Sequence, residues 1–209
     1  MKLTSKENDL RTWQNFRSGN KYAFQKIYFD HYRFLYNYCR KYTSDFALVE
    51  DIIQDLFVTL LTRRERLGET DNIRFYLFGS IRRRLFKALN SKEYKVTDLF
   101  DNDNPEFHFD EGVEPDYGED EEQNRFLKTL MRSVNSLGER QKEIVYLKYY
   151  SGFNNKEIAE ILGVSYQTVR NTLCNALIKI RKDFDDEIPK GKMVILMQIL
   201  FEKTLCELN

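Results

Sequence analysis

From residue 98 to residue 122 the chain carries twelve Asp and Glu and no Lys or Arg, interrupted by Pro105, Pro115, Gly112 and Gly118. No apolar period runs through this stretch, so it has no face to bury and reads as a flexible linker over 97–122. The 209 residues would suffice for one large domain or two small ones. The linker decides for two, over 10–96 and 123–183, with a tail over 184–209. It also skews the charge. Lys plus Arg equals Asp plus Glu at 33 each, yet outside the stretch 33 basic residues face 33 − 12 = 21 acidic ones. A surplus of twelve positive charges suits a nucleic-acid surface joined by an acidic tether, although such a run also simply keeps a linker solvated. Phe100, Phe107, Phe109 and Tyr117 are more aromatics than a spacer needs, and suggest a linker that lies against something when bound.

Catalysis finds little support. His31 and His108 are the only histidines, one among aromatics on a helix and one in the linker. No P-loop, GxGxxG or GxSxG occurs. The paired acids sit in solvated linker, where nothing shifts their pKa. Cys39, Cys174 and Cys206 are scattered without a CxxC pair, which fits a reducing cytoplasm with neither a disulfide framework nor a metal site. The polar N-terminus lacks the apolar core of a signal peptide. The longest apolar run, MVILMQILF over 193–201, is far short of the ~20 residues that span a bilayer. It reads as a short tail helix that docks on the protein or on a partner, with no membrane insertion.

The stretch NNKEIAEILGVSYQTVRNTLCNALIKIRK, residues 154–182, encodes two short helices and their turn. Asn154 with Glu157 makes a capping box, Gly163 supplies a left-handed stop, and Ser165 caps the second helix. Ile158, Ala159, Ile161 and Leu162 share one side of the first helix. Val169, Leu173, Ala176, Leu177 and Ile180 form the buried stripe of the second. So short a turn forces a steep crossing, as in a helix-turn-helix. Tyr166, Gln167, Arg170, Asn171, Cys174 and Asn175 then face outward, and Arg, Asn and Gln can read base edges bidentately. An ordinary helical hairpin with a polar outer face satisfies the same spacing, so the pattern alone leaves both readings open.

The N-terminal half has helical periods only. Gly19 to Tyr42 places Phe24, Ile27, Tyr28, His31, Leu35, Tyr38 and Cys39 at helical spacing. In VEDIIQDLFVTLLTRR, residues 49–64, apolar pairs recur every four residues as Ile52 and Ile53, Leu56 and Phe57, Leu60 and Leu61. Glu50, Asp51, Gln54, Asp55 and Val58 share the opposite face, which suits a basic partner. In residues 72–95, Leu77, Ile81, Leu85 and Leu89 form a buried row. Arg83, Phe86, Lys87 and Asn90 project together, flanked by Arg82, Arg84, Lys92 and Lys95. Cations that follow phosphates and rings that stack on unpaired bases are what a single-stranded nucleic acid requires. Phe75, Tyr76 and Phe78 equally well serve as core.

EDIIQDLF, then the aromatic and basic YLFGSIRRR, then a tether, then LGERQKEIVYLKYYSGFNNKEIAEILGVSYQTVRNTLCNAL resembles a bacterial RNA polymerase sigma factor. The two-domain layout is similar to that of the extracytoplasmic-function group, over about residues 10–183. The resemblance implies an all-α fold, with a region 2-like helical bundle and a region 4-like helix-turn-helix. It implies a non-catalytic promoter-specificity subunit of the cytoplasm, without cofactor or metal. Its partners would be core RNA polymerase, promoter DNA and an anti-sigma factor. By the same resemblance Glu50, Asp51, Gln54 and Asp55 dock on the polymerase clamp helices. Asn72, Ile73 and Arg74 fall in a loop that captures a flipped minus-ten base, with Arg82, Arg83, Phe86 and Lys87 on the adjacent helix. Gln167, Arg170, Asn171, Cys174 and Asn175 match the helix that reads the minus-thirty-five element. Arg83 and Tyr76 depart from the Asn and Trp frequent in relatives. Thr172 and Asn175 replace frequent basic residues, which shifts phosphate anchoring toward Lys148, Lys156, Lys179, Arg181 and Lys182. Two rivals remain: a response regulator, which needs an α/β receiver ahead of the hairpin, and a helical adaptor without DNA.

Overall fold

The computed structural model describes residues 4–91, 106–109 and 121–184. The expected tail helix over 193–201, and most of the linker, lie outside these. The chain divides into two compact units, Met1–Pro105 and Glu106–Asn209. Among the described residues every regular element is helical, so the fold is all-α.

The first unit contains α1 (Ser5–Arg17), α2 (Lys21–Arg40), α3 (Phe46–Thr62) and α4 (Ile73–Leu89), with a 3-10 turn at Arg64–Arg66. Each α-helix starts on a side chain that accepts from an otherwise orphaned amide. Thr4 and Glu7 form a capping box on α1. Asn20 accepts from Ala23, Asp45 from Leu48 and Asn72 from Phe75. The core lies where α2 packs on α3 and both pack on α4, around Ile27, Leu35, Tyr38, Val49, Ile53, Leu77, Phe78, Ile81 and Leu85, each 1% exposed or less. Leu61, expected in the buried row of α3, is instead 41% exposed. It lies in the last turn of α3, next to Leu60, which takes the buried position there.

The polar N-terminal stretch, assigned to no element from sequence, forms α1. It buries Trp13 and Phe16 completely, and the Trp13 indole Nε1–H donates to the Gly68 carbonyl at 2.8 Å. The Asp9 carboxylate accepts the Ile73 amide at 3.0 Å, capping α4 from a distant part of the chain. Thus α1 clasps the loop that leads into α4.

In the second unit α5 (Glu121–Asn135), α6 (Glu139–Val145), α7 (Asn155–Leu162) and α8 (Tyr166–Lys182) surround Leu130, Val134, Ile144, Val145, Ile158, Val169, Ala176 and Ile180. Both α6 and α7 pack on α8. A π-helical turn, Tyr146–Tyr150, extends α6, with the Ser151 amide donating to the Tyr146 carbonyl at 3.0 Å. Asn154 and Glu157 form the capping box of α7, Gly163 ends it at φ +65°, and Ser165 caps α8. Gly163 is needed because L side chains are strained in the left-handed region. Leu177, expected in the buried stripe of α8, is half-buried at its edge.

Of the linker expected over 97–122, Glu121 and Glu122 already belong to α5, and residues 106–109 are described as well, with Phe107 not standing off in solvent. Phe107 is fully buried in the second unit, its ring 5.5 Å from that of Tyr146 and 5.3 Å from that of Phe109. Its backbone amide donates to a Glu139 carboxylate oxygen.

Candidate nucleic-acid interface

The outer face of α8 is polar by construction. Val169, Leu173, Ala176 and Ile180 anchor it to the core. That leaves Tyr166, Gln167, Arg170, Asn171, Cys174 and Asn175 exposed. The Gln167 side-chain amide donates to the Asn171 Oδ1 at 3.1 Å, one turn apart. This bond fixes two groups against each other and leaves the Gln167 carbonyl oxygen and the Asn171 amide hydrogens for an external partner. At the helix start Ser165 Oγ accepts the Thr168 amide at 3.0 Å and lies 2.8 Å from Thr168 Oγ1. A capped helix with Arg170 and three amides on one face can enter a major groove and pair with base edges. Lys156 and Lys182 are exposed beside it. Lys179, expected as a phosphate anchor, directs its ammonium to the Ser136 carbonyl at the end of α5.

The second group of expected DNA contacts lies along α4. Asn72 is the N-cap of α4, and its side chain accepts from Phe75 at 3.0 Å. Ile73 and Arg74 are already helical, and Ile73 is only 1% exposed. The Arg74 guanidinium lies 4.1 Å over the Phe34 ring. These three residues thus stand where the loop meets the first turn of α4, with Asn72 as the cap and Ile73 turned into the core. Further along, Arg83 and Lys87 are exposed, while Arg82 stacks 4.2 Å over the Phe86 ring. Phe86 in turn meets the edge of Tyr42 at 5.2 Å and is half-buried. Arg83 and Lys87 are thus the exposed cations of this face, while Phe86 is held between Arg82 and Tyr42.

On α3, Glu50, Asp51, Gln54 and Asp55 are all exposed, with Val58 at 52% and Leu61 at 41% beside them. The buried Ile52, Ile53, Leu56, Phe57 and Leu60 hold the helix, so this acidic and aliphatic face is free of packing duties.

His31 sits on α2 with Nδ1 lacking a hydrogen-bond partner among the described residues. Burial pushes its pKa down, outweighing Asp9 and Asp30, and the nearby Arg74 charge acts in the same direction. A lowered folded pKa means the unfolded chain binds the proton more readily. Stability is therefore complete above the unfolded value of about 6.5 and falls as pH drops through the lower folded value. Urea unfolding should show this loss between neutral and mildly acid pH, and His31→Gln should flatten it. Burial also raises the Cys39 thiol pKa, so that group is inert. No group of three or more His, Cys, Asp or Glu suited to a metal occurs among the described residues.

Residues 27–93 match the family described as sigma-70 region 2, and residues 127–180 match sigma-70, region 4. The chain is 24% identical over 158 residues to the ECF RNA polymerase sigma factor SigL of Mycobacterium tuberculosis, covering 74% of this chain and 85% of that protein. It is 25% identical over 167 residues to the RNA polymerase sigma factor YlaC of Bacillus subtilis, covering 77% of this chain and 91% of that one. Among solved structures, CnrH in complex with the cytosolic domain of CnrY superposes with a TM-score of 0.54 at 17% identity, over 86% of this chain and 99% of that one. The sigma factor RpoE in complex with the anti-sigma factor NepR from Bartonella quintana gives 0.54 at 18%, over 79% and 98%.

Proposed function

Since the chain belongs to the sigma-70 family, as a member of its extracytoplasmic-function group, we propose a division of labour among its exposed faces. It is a promoter-specificity subunit that joins core RNA polymerase to promoter DNA and catalyses nothing itself. The domains are taken as 10–96 and 123–183. Glu50, Asp51, Gln54 and Asp55 meet a basic surface of the polymerase. Arg82, Arg83, Phe86 and Lys87 follow the minus-ten strand, and Asn72, Ile73 and Arg74 at the start of α4 take up its flipped base. Gln167, Arg170, Asn171, Cys174 and Asn175 read the minus-thirty-five element. The single observation that carries this reading is the pairing, in one chain, of an unburied acidic helix face with a capped recognition helix whose amides and Arg170 point outward.

No described helix is long and apolar enough to cross a membrane. The inferred site of action is the cytoplasm, where polymerase and promoter meet. Because two structural neighbours were solved with bound partners, one named an anti-sigma factor, an anti-sigma protein is proposed as a further partner. Reconstituted transcription with core polymerase on genomic fragments, followed by start-site mapping, tests the function directly. A chain that supports no initiation at any fragment refutes it.

Arg170→Ala is expected to spare polymerase binding and to weaken discrimination at one minus-thirty-five position, by about 1–3 kcal/mol for a bidentate base contact. The check is transcription from promoters substituted base by base. Equal dependence on every base before and after the change removes Arg170 from the reading face.

A further inference from the structure

The acidic linker is pinned to the second unit partway along its length. Phe107 is 0% exposed, and the chain around it is held at two further points. One oxygen of Glu139 accepts the Phe107 amide, and the other lies 3.0 Å from the Lys142 ammonium. Phe109 packs 6.4 Å from Tyr146, so two aromatics of the linker flank one ring of the π turn. The slot lies against the π turn Tyr146–Tyr150. This turn brings Tyr146 and Tyr150 to 4.6 Å of each other, with Tyr146 facing Phe107.

We propose that Phe107 is a positioning residue for promoter spacing: seated in this slot, it takes residues 110–120 out of the tether between the two DNA-reading domains. This rests on the sigma-factor reading above. The covalent reach then runs from Ser91 to Phe107, 107 − 91 = 16 residue steps, rather than from Ser91 to Glu121, 121 − 91 = 30 steps. At up to ~3.6 Å per residue the reach is at most about 58 Å with the anchor and about 108 Å without it. The difference, about 50 Å, corresponds to roughly 15 base pairs of B-DNA at 3.4 Å each. The anchor, and not the length of the linker, therefore limits how far apart the two promoter elements can lie.

The experiment is reconstituted transcription on a promoter series whose spacer is lengthened one base pair at a time. Three changes are compared with the natural chain: Phe107→Ala, an insertion of about six Gly and Ser residues within 92–105, and the same insertion within 110–120. Activity of the natural chain at its best spacing establishes the sigma-factor reading independently of this proposal. With the anchor in place, the insertion before Phe107 should raise use of the longer spacers, and the insertion after it should leave the profile unchanged. Phe107→Ala should raise long-spacer use about tenfold relative to the best spacing, as loss of a buried Phe shifts the anchored equilibrium by at least that factor. In the Phe107→Ala background both insertions should then act alike. Phe107→Leu, which keeps an apolar plug, should restore most of the natural profile. The proposal is overturned if the two insertions act alike in the natural chain, or if Phe107→Ala leaves the spacer profile unmoved. Since both insertions are compared in the natural chain with Phe107 in place, this outcome does not depend on how well Phe107→Ala folds.

Discussion

Asp51→Arg combined with Asp55→Arg lowers the affinity for core polymerase by about a hundredfold or more, since like charge at a docked surface costs several kcal/mol. Both carboxylates are exposed on the outer face of α3, and neither makes an ion pair among the described residues. The apolar residues that hold α3 are untouched, so helix content and thermal midpoint stay within a few degrees. Gln54→Ala should have a much smaller effect, because it removes a neutral contact and adds no repulsion. A titration of labelled core polymerase gives the answer. Equal affinity for the double variant would remove this face from the interface.

Trp13→Ala is the corresponding test of the fold. The indole is completely buried, packs 5.4 Å from Phe16 and 5.0 Å from Tyr76, and donates to Gly68. Truncating a buried Trp typically costs about 3–5 kcal/mol, against a total domain stability of about 5–15 kcal/mol. The thermal midpoint of the first unit should fall by more than about 12 °C, at 4–8 °C per kcal/mol for a domain of this size. Circular dichroism on heating should then resolve an early transition, with the second unit melting where it did before. A loss under about 1 kcal/mol would mean that α1 is dispensable to the core, contrary to the clasp formed by Trp13 and Asp9.

What could be read in advance follows the range of the interactions. The pairs Ile52 and Ile53, Leu56 and Phe57 announce α3 because helical periodicity is local. Asn154, Gly163 and Ser165 announce α7 and α8 because caps act within one turn. The acidic face of α3 and the outer face of α8 follow from the same projection. Helix α1 is hard to read in its own window because Trp13 and Phe16 are too few for a clear stripe; the Thr4 and Glu7 capping box is the local signal for it. The start of α4 depends on Asp9, which lies far away in sequence, so no window around Asn72 contains its cause. Phe107 is an extreme instance. In sequence it is one aromatic in an acidic run, and its burial depends on a slot formed by Glu139 and a π turn. Aromatic excess pointed to a linker that lies on something, but not to its own chain as the surface.

Trp13 is also the only tryptophan in the chain, alongside thirteen tyrosines. Excitation near the red edge of protein absorption therefore selects the first unit alone, and the indole is buried, bonded and in van der Waals company. Its emission should shift to longer wavelength when that unit opens, and stay blind to the helix-turn-helix. The natural protein thus carries an optical label that separates the opening of one half from the other, with no dye attached. Binding events that loosen or tighten α1 can be followed by the same colour change.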